Sequence, residues 1–139
     1  MRDELLRQAI GLAQKARALG EMPFGSLLAA PDGTVLVEDW NTVLSGDDIS
    51  AHPELKLARW AAQNLDAVTA AETTMYTSCQ PCGMCTGAIE RSGLGRVVFA
   101  LSTDQLNELK PARPAATFAL EGPGLLDEAR VPFEGYYSS

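Results

Sequence analysis

Histidine occurs once in this chain, at His52, and thirty positions later Cys82 opens the run Cys82-Gly83-Met84-Cys85. If one metal takes this imidazole and this thiol pair, the chain must fold back until the two segments meet at a point. One imidazole, a nearby carboxylate in Glu54 and a Pro-Cys-x-x-Cys pair are the parts of a catalytic zinc site that keeps an open position for water. A histidine-ligated metal here has no ligand to choose other than His52.

The local sequence is suited to that convergence. Pro53 falls where a first helical turn tolerates proline, so His52 reads as the cap of a helix running from about 53 to 66. Pro81 suits the entrance to a second helix, from about Cys82 to Ser92. Cys82 and Cys85 then share a helix face, and the positive end of the helix dipole favours the thiolates a metal needs. Two helix N-termini aimed at one point give a His-Cys-Cys site with a fourth place for water. Glu54 is too close in sequence to His52 for both to lie on one face of a regular helix, so it reads as an acid/base beside the metal.

Each part has a plainer reading on its own. A Cys-x-x-Cys pair also serves as a redox couple, a structural zinc half-site or two buried thiols. A histidine before proline is usually a loop residue, and a lone glutamate a solvated helix face. Their joint occurrence at this spacing is what points to a metal site. Cys79 extends the cysteine row, which leaves a three-cysteine site as an alternative; Pro81 separates Cys79 from the helix, so it is expected to end a strand and pack as a small apolar residue.

Around these motifs the pattern is regular. Residues 2–19 carry an apolar stripe of Leu5, Ala9, Leu12, Ala16 and Leu19, widened by Leu6, Ile10 and Ala13, and Gly20 stops the helix. Residues 25–30 and 35–40 flank the turn tetrapeptide Pro31-Asp32-Gly33-Thr34, a β-hairpin signal. Residues 41–51 read as a polar loop. Leu55, Ala58, Ala62 and Leu65 mark the expected inner side of the following helix. Thr73 to Ser78 reads as a strand, and Arg96 to Leu101 as a buried one. Short helices are expected at 104–109 and 125–130, with a loop from Pro111 to Pro114 between them. Later strands separated by helices imply an α/β fold: a three-layer α/β/α sandwich with a central mixed sheet and helices on both faces. Residues 1–139 are expected to form one domain.

Composition narrows the partners. Eleven Lys and Arg stand against eighteen Asp and Glu, a net charge of −7. With no basic run, the chain is a poor candidate for holding long nucleic acids, and a small-molecule substrate is expected. The charged start, Met1-Arg2-Asp3-Glu4, opens an amphipathic helix and does not read as a signal peptide. No apolar run approaches the ~20 residues that span a bilayer. Three cysteines crowded between Cys79 and Cys85 are no staple framework, so a reduced, cytoplasmic setting is expected.

The combination Ala51-His52-Pro53-Glu54 with Tyr76-Thr77-Ser78-Cys79-Gln80-Pro81-Cys82-Gly83-Met84-Cys85-Thr86-Gly87-Ala88-Ile89 resembles the cytidine deaminase superfamily. The likeness runs from Met22-Pro23-Phe24-Gly25 through Val98, and within the superfamily it is strongest to bacterial guanine deaminases, with cytosine deaminases and tRNA adenosine deaminases in the same branch. It implies one zinc per chain, held by His52, Cys82 and Cys85, with Glu54 as the proton shuttle. It implies substrate contacts from Asn41, in Trp40-Asn41-Thr42, and from Phe24, and a homodimer. The activity implied is hydrolytic deamination of a small nucleobase such as guanine; cytosine or cytidine and adenosine in tRNA are the alternatives within that chemistry. A catalytically silent zinc-binding module, or a thiol-redox pair, is the alternative outside it. Four departures from the pattern stand out. Pro53 replaces the usual Ala, Gln80 the usual Glu, Glu90 and Arg91 an aromatic pair, and the tail offers only Phe133, Tyr136 and Tyr137 in place of matched pocket aromatics.

Overall fold

The computed structural model describes residues 1–111 and 117–138. Helix α1 (Arg2–Ala18) starts with Asp3 and Glu4 and ends with Lys15 and Arg17. Each charge thus faces the dipole end it favours. Gly20, at φ +84°, takes the left-handed turn that ends the helix. Strands β1 (Gly25–Ala29) and β2 (Val35–Trp40) form the expected antiparallel hairpin. Its turn is held by Asp32 Oδ1, which accepts from the Thr34 amide at 2.9 Å, and by Gly33 at φ +91°.

Beyond the hairpin lie α2 (Val43–Gly46), α3 (Pro53–Asn64), α4 (Ala67–Glu72), β3 (Thr74–Cys79), α5 (Gly83–Ser92), β4 (Arg96–Leu101), α6 (Thr103–Leu109) and α7 (Leu126–Arg130). Among the described residues, four strands lie in the order β2-β1-β3-β4. β1 is antiparallel to both its neighbours, while β3 and β4 are parallel and joined through α5. The sheet is therefore mixed, as the alternation of strands and helices implies.

Alternate residues of β1 serve opposite faces. Leu27 and Ala29 pack with Leu5 and Leu12 of α1, together with Tyr76 and Val98. Leu28 packs with Leu57 and Ala61 of α3 and with Met75, and Ile89 of α5 closes on the same cluster. Helices on both faces give the α/β/α sandwich. α1 lies unusually close to the sheet because Ala9, Ala13 and Ala16 form its inner face and because β1 begins with glycine. A Cβ at Gly25 would stand 2.5 Å from Leu12 Cβ and 2.6 Å from both Ala13 N and Ala9 O.

Four local expectations need correcting. The strand Arg96–Leu101, expected to be buried, is an edge of the sheet with Val98 alone buried and Phe99 40% exposed. The 41–51 segment is not wholly loop, since it contains the short helix α2. The helix expected over 53–66 ends at Asn64, and a separate helix, α4, follows with Asp66 as its cap, accepting from the Thr69 amide at 2.8 Å. The inner side of α3 is also rotated from the expected one: Glu54, Leu57, Ala58 and Ala61 are buried, whereas Ala62 is exposed. Burial of a carboxylate on the core face turns the helix away from the stripe its apolar residues suggest. The loop expected between Pro111 and Pro114 lies, apart from Pro111, outside the described residues.

Candidate active site

Prolines set the two helix starts that meet here. The residue before a proline is driven to extended backbone, and His52 adopts φ −77°, ψ 141° as the N-cap of α3 with Pro53 in the first turn. Its side chain makes no capping hydrogen bond, so the ring is left for other partners. After Pro81, Cys82 is the N-cap of α5 at φ −72°, ψ 173°, and Cys85 lies in the first turn. The two helices pack against each other.

The structure brings His52, Cys82 and Cys85 together, with one donor atom from each within 4.8 Å of the others. His52 Nδ1 lies 3.6 Å from Cys82 Sγ and 3.4 Å from Cys85 Sγ. A tetrahedral zinc, with Zn–S about 2.3 Å and Zn–N about 2.0 Å, sets such donor pairs about 3.5 Å apart. The residues fit that ion in both kind and spacing.

The electrostatics favour the ligand form at His52, whereas at Cys85 burial outweighs the thiolate preference expected from the helix dipole. Burial depresses the His52 pKa and so favours the neutral imidazole a metal needs. Burial pushes the Cys85 thiol well up, with further upward pushes from the charges of Glu54 and Cys82. A divalent cation is the local charge that reverses both effects on the thiol. Cys79 ends β3, is buried, and stands outside the three-residue cluster, as its separation by Pro81 implies.

Glu54 occupies the second position of α3, buried at 5% exposure. Desolvation raises its carboxyl to about pKa 7, against a smaller lowering by its own amide. A carboxyl poised near neutrality next to a metal site has the properties of a proton shuttle.

Phe24 and Asn41 meet where the hairpin opens toward these helices. The Asn41 amide donates to the Phe24 carbonyl at 3.0 Å, and the Thr42 amide to the Ala51 carbonyl, one residue before His52, at 3.1 Å. Asn41 is almost fully buried, and its Oδ1 accepts from the Val43 amide at 2.9 Å. That bond fixes which end of the amide is committed: the NH2 group is the half left to donate. Glu21 Oε1 caps the same short helix, accepting from the Ser45 amide at 3.1 Å. Of the tail aromatics, Phe133 stacks on Tyr137 and Tyr136 meets Tyr137 edge-on, all three exposed.

Two contributors escape a reading of the sequence. Lys56 donates to three acceptors on the 39–42 segment, yet in sequence it resembles any lysine on a solvated helix face. Gln80 links the end of β3 to α6, its Oε1 accepting from the Thr103 amide at 3.0 Å. The sequence marks Gln80 as a departure directly before Pro-Cys, but its bond to Thr103 is not readable there.

Residues 1–101 match the model of the cytidine and deoxycytidylate deaminase zinc-binding region, and the chain belongs to that family. It is 37% identical over 100 residues to the tRNA-specific adenosine deaminase of Haemophilus influenzae, a match covering 72% of this chain and 58% of that one. To the probable cytosine deaminase of Schizosaccharomyces pombe it is 32% identical, over 95% of this chain and 90% of the other. In structure it is similar to the guanine deaminase of Bacillus subtilis, with a TM-score of 0.79, 28% identity, and coverage of 98% and 93%. The chain thus spans less than two-thirds of the Haemophilus protein and nearly all of the other two.

Proposed function

We propose that this chain is a hydrolytic deaminase of a small nucleobase or related amino-heterocycle, with guanine as the leading candidate. The observation that carries the reading is the buried Glu54 carboxyl set two residues after His52, at a His-Cys-Cys cluster of zinc dimensions. A structural zinc site has no use for a buried carboxyl at its edge, which weighs against a silent binding module.

In this reading His52, Cys82 and Cys85 hold one zinc. Zinc bound there would supply a water acidified to a pKa of roughly 7. Glu54 takes a proton from the attacking water at its carboxylate oxygen and delivers it to the ring nitrogen beside the amino-bearing carbon. Glu54 then takes the remaining proton from the hydroxyl now on that carbon and passes it to the amino group, which leaves as ammonia as the C–N bond breaks and the carbonyl forms. Asn41 orients the ring: with Oδ1 committed to Val43, its NH2 donates to an acceptor on the substrate edge. Phe24, half-buried beside it, offers the ring an apolar surface.

Similarity to the Bacillus enzyme over the whole fold supports guanine. The match to a probable cytosine deaminase over 95% of the chain makes cytosine the second reading. The net charge of −7 weighs against a tRNA substrate. A homodimer working in the cytoplasm belongs to the same reading; among the described residues no helix is long and apolar enough to cross a membrane. The test is ammonia release by the zinc-loaded protein across a panel of bases, nucleosides and folded tRNA. Turnover of a free base is expected; release from tRNA alone overturns the small-molecule reading.

A further inference from the structure

Lys56 lies one turn into α3, four residues after His52, and its side chain is only 17% exposed. All three of its hydrogens are engaged. Nζ donates to Asp39 Oδ1 at 3.0 Å, to the Trp40 carbonyl at 2.8 Å and to Thr42 Oγ1 at 3.0 Å. Two of these acceptors immediately precede Asn41 and flank it on one side with the third just after it. The same lysine's backbone amide donates to the His52 carbonyl at 3.1 Å, the first turn of the helix that carries His52 and Glu54.

We infer that Lys56 is a positioning residue for the reaction: it clamps the Asn41 segment to the first turn of α3 and thereby sets where the Asn41 amide stands relative to His52 and Glu54. The alternative, a surface ion pair, accounts for one of its three bonds only. The pair with Asp39 is partly exposed, and such pairs contribute little. The Trp40 carbonyl and Thr42 hydroxyl are not charged partners, and what the three share is their position around Asn41. A compact ammonium with three donors can serve acceptors that converge from three directions; a planar guanidinium cannot.

The inference rests on the deaminase reading for the role of Asn41. Its test is a double-mutant cycle on the zinc-loaded protein. Lys56→Met keeps the stem and removes the three donors. It is expected to retain zinc, measured by elemental analysis, and to lose about tenfold in kcat/KM, well inside the 10²-fold that an ångström of misplacement can cost. If Lys56 acts through Asn41, then in the Asn41→Ala background the same change costs less than about twofold. Lys56→Arg keeps the charge and the fold and is expected to fall between wild type and Lys56→Met. Unchanged kinetics in Lys56→Met, or a loss of equal size in both backgrounds, overturns the clamp. A readout independent of turnover separates the two ideas. The Asn41 side-chain amide signal in nitrogen-15 NMR, assigned by its absence in Asn41→Ala, is expected to shift and broaden in Lys56→Met. A wild-type protein that deaminates nothing defeats the deaminase reading. An unmoved Asn41 amide signal defeats the clamp, whatever the activity.

Discussion

The same substitution, glycine to alanine, should act with opposite signs at Gly25, packed under α1, and at Gly11, on the outer side of that helix. At Gly25 the new Cβ would stand 2.5–2.6 Å from Leu12 Cβ, Ala13 N and Ala9 O. Two of those three atoms are backbone, so no side chain can swing clear. Carbon atoms pack best about 3.5–4.0 Å apart, so α1 and β1 would have to separate by roughly 1 Å. That separation loosens Leu5 and Leu12 against Leu27, Tyr76 and Val98. Overpacking of this kind costs about 1–3 kcal/mol, and contact with backbone puts Gly25 at the upper end. The reduced freedom of the unfolded chain offsets about 0.4–1 kcal/mol, which leaves a net loss of about 2 kcal/mol. Gly11, on the exposed side of the same helix, has nothing within 4 Å of a new Cβ; alanine there should stabilise by about 1 kcal/mol through helix propensity. Urea titrations of the two variants and the wild type should show the midpoint falling for Gly25→Ala and rising for Gly11→Ala, with slopes unchanged. A Gly25→Ala variant within about 0.5 kcal/mol of wild type would refute the close approach of α1 to the sheet.

Further outcomes are expected at the site itself. Replacing His52, Cys82 or Cys85 should empty the metal site, while Cys79→Ser should keep it; elemental analysis decides, and full zinc in Cys82→Ser sinks the ligand set. Glu54→Gln should fold, retain zinc and lose about 10²–10⁴-fold in turnover, and near-normal turnover would move the proton to another group. Asn41→Ala should lower kcat/KM at least about tenfold with zinc retained, since an unpaired polar group in a small pocket costs roughly 1–3 kcal/mol; unchanged kinetics would remove Asn41 from substrate binding.

The meeting of His52 with Cys82 and Cys85 was legible because it depends on local features: two prolines, two helix starts and a Cys-x-x-Cys spacing. The sandwich followed from strand and helix alternation, with Leu27 and Leu28 feeding opposite faces of the sheet as period-2 patterning requires. The face of α3 was not legible. Counting apolar residues selects Ala62, whereas the buried row includes Glu54, a residue whose burial only the site explains. α4 left a readable cue in Asp66, three residues before Thr69, although alanines and threonines alone give no strong period. The Lys56 clamp was beyond reach, because its three acceptors come from a segment fourteen to seventeen residues away, positioned by tertiary packing.

Pro53 also acts as a register stop. If α3 took in one more residue upstream, that residue, His52, would be set in helical backbone about 100° round the axis from residue 53. With alanine at 53, nothing in the covalent chain forbids His52 from joining the first turn and carrying its imidazole round with it. Proline disfavours it in the folded and unfolded chain alike, because the residue before it is pushed toward extended backbone. The chain thereby fixes its single imidazole at the helix boundary by steric exclusion, even though the ring itself makes no capping bond there.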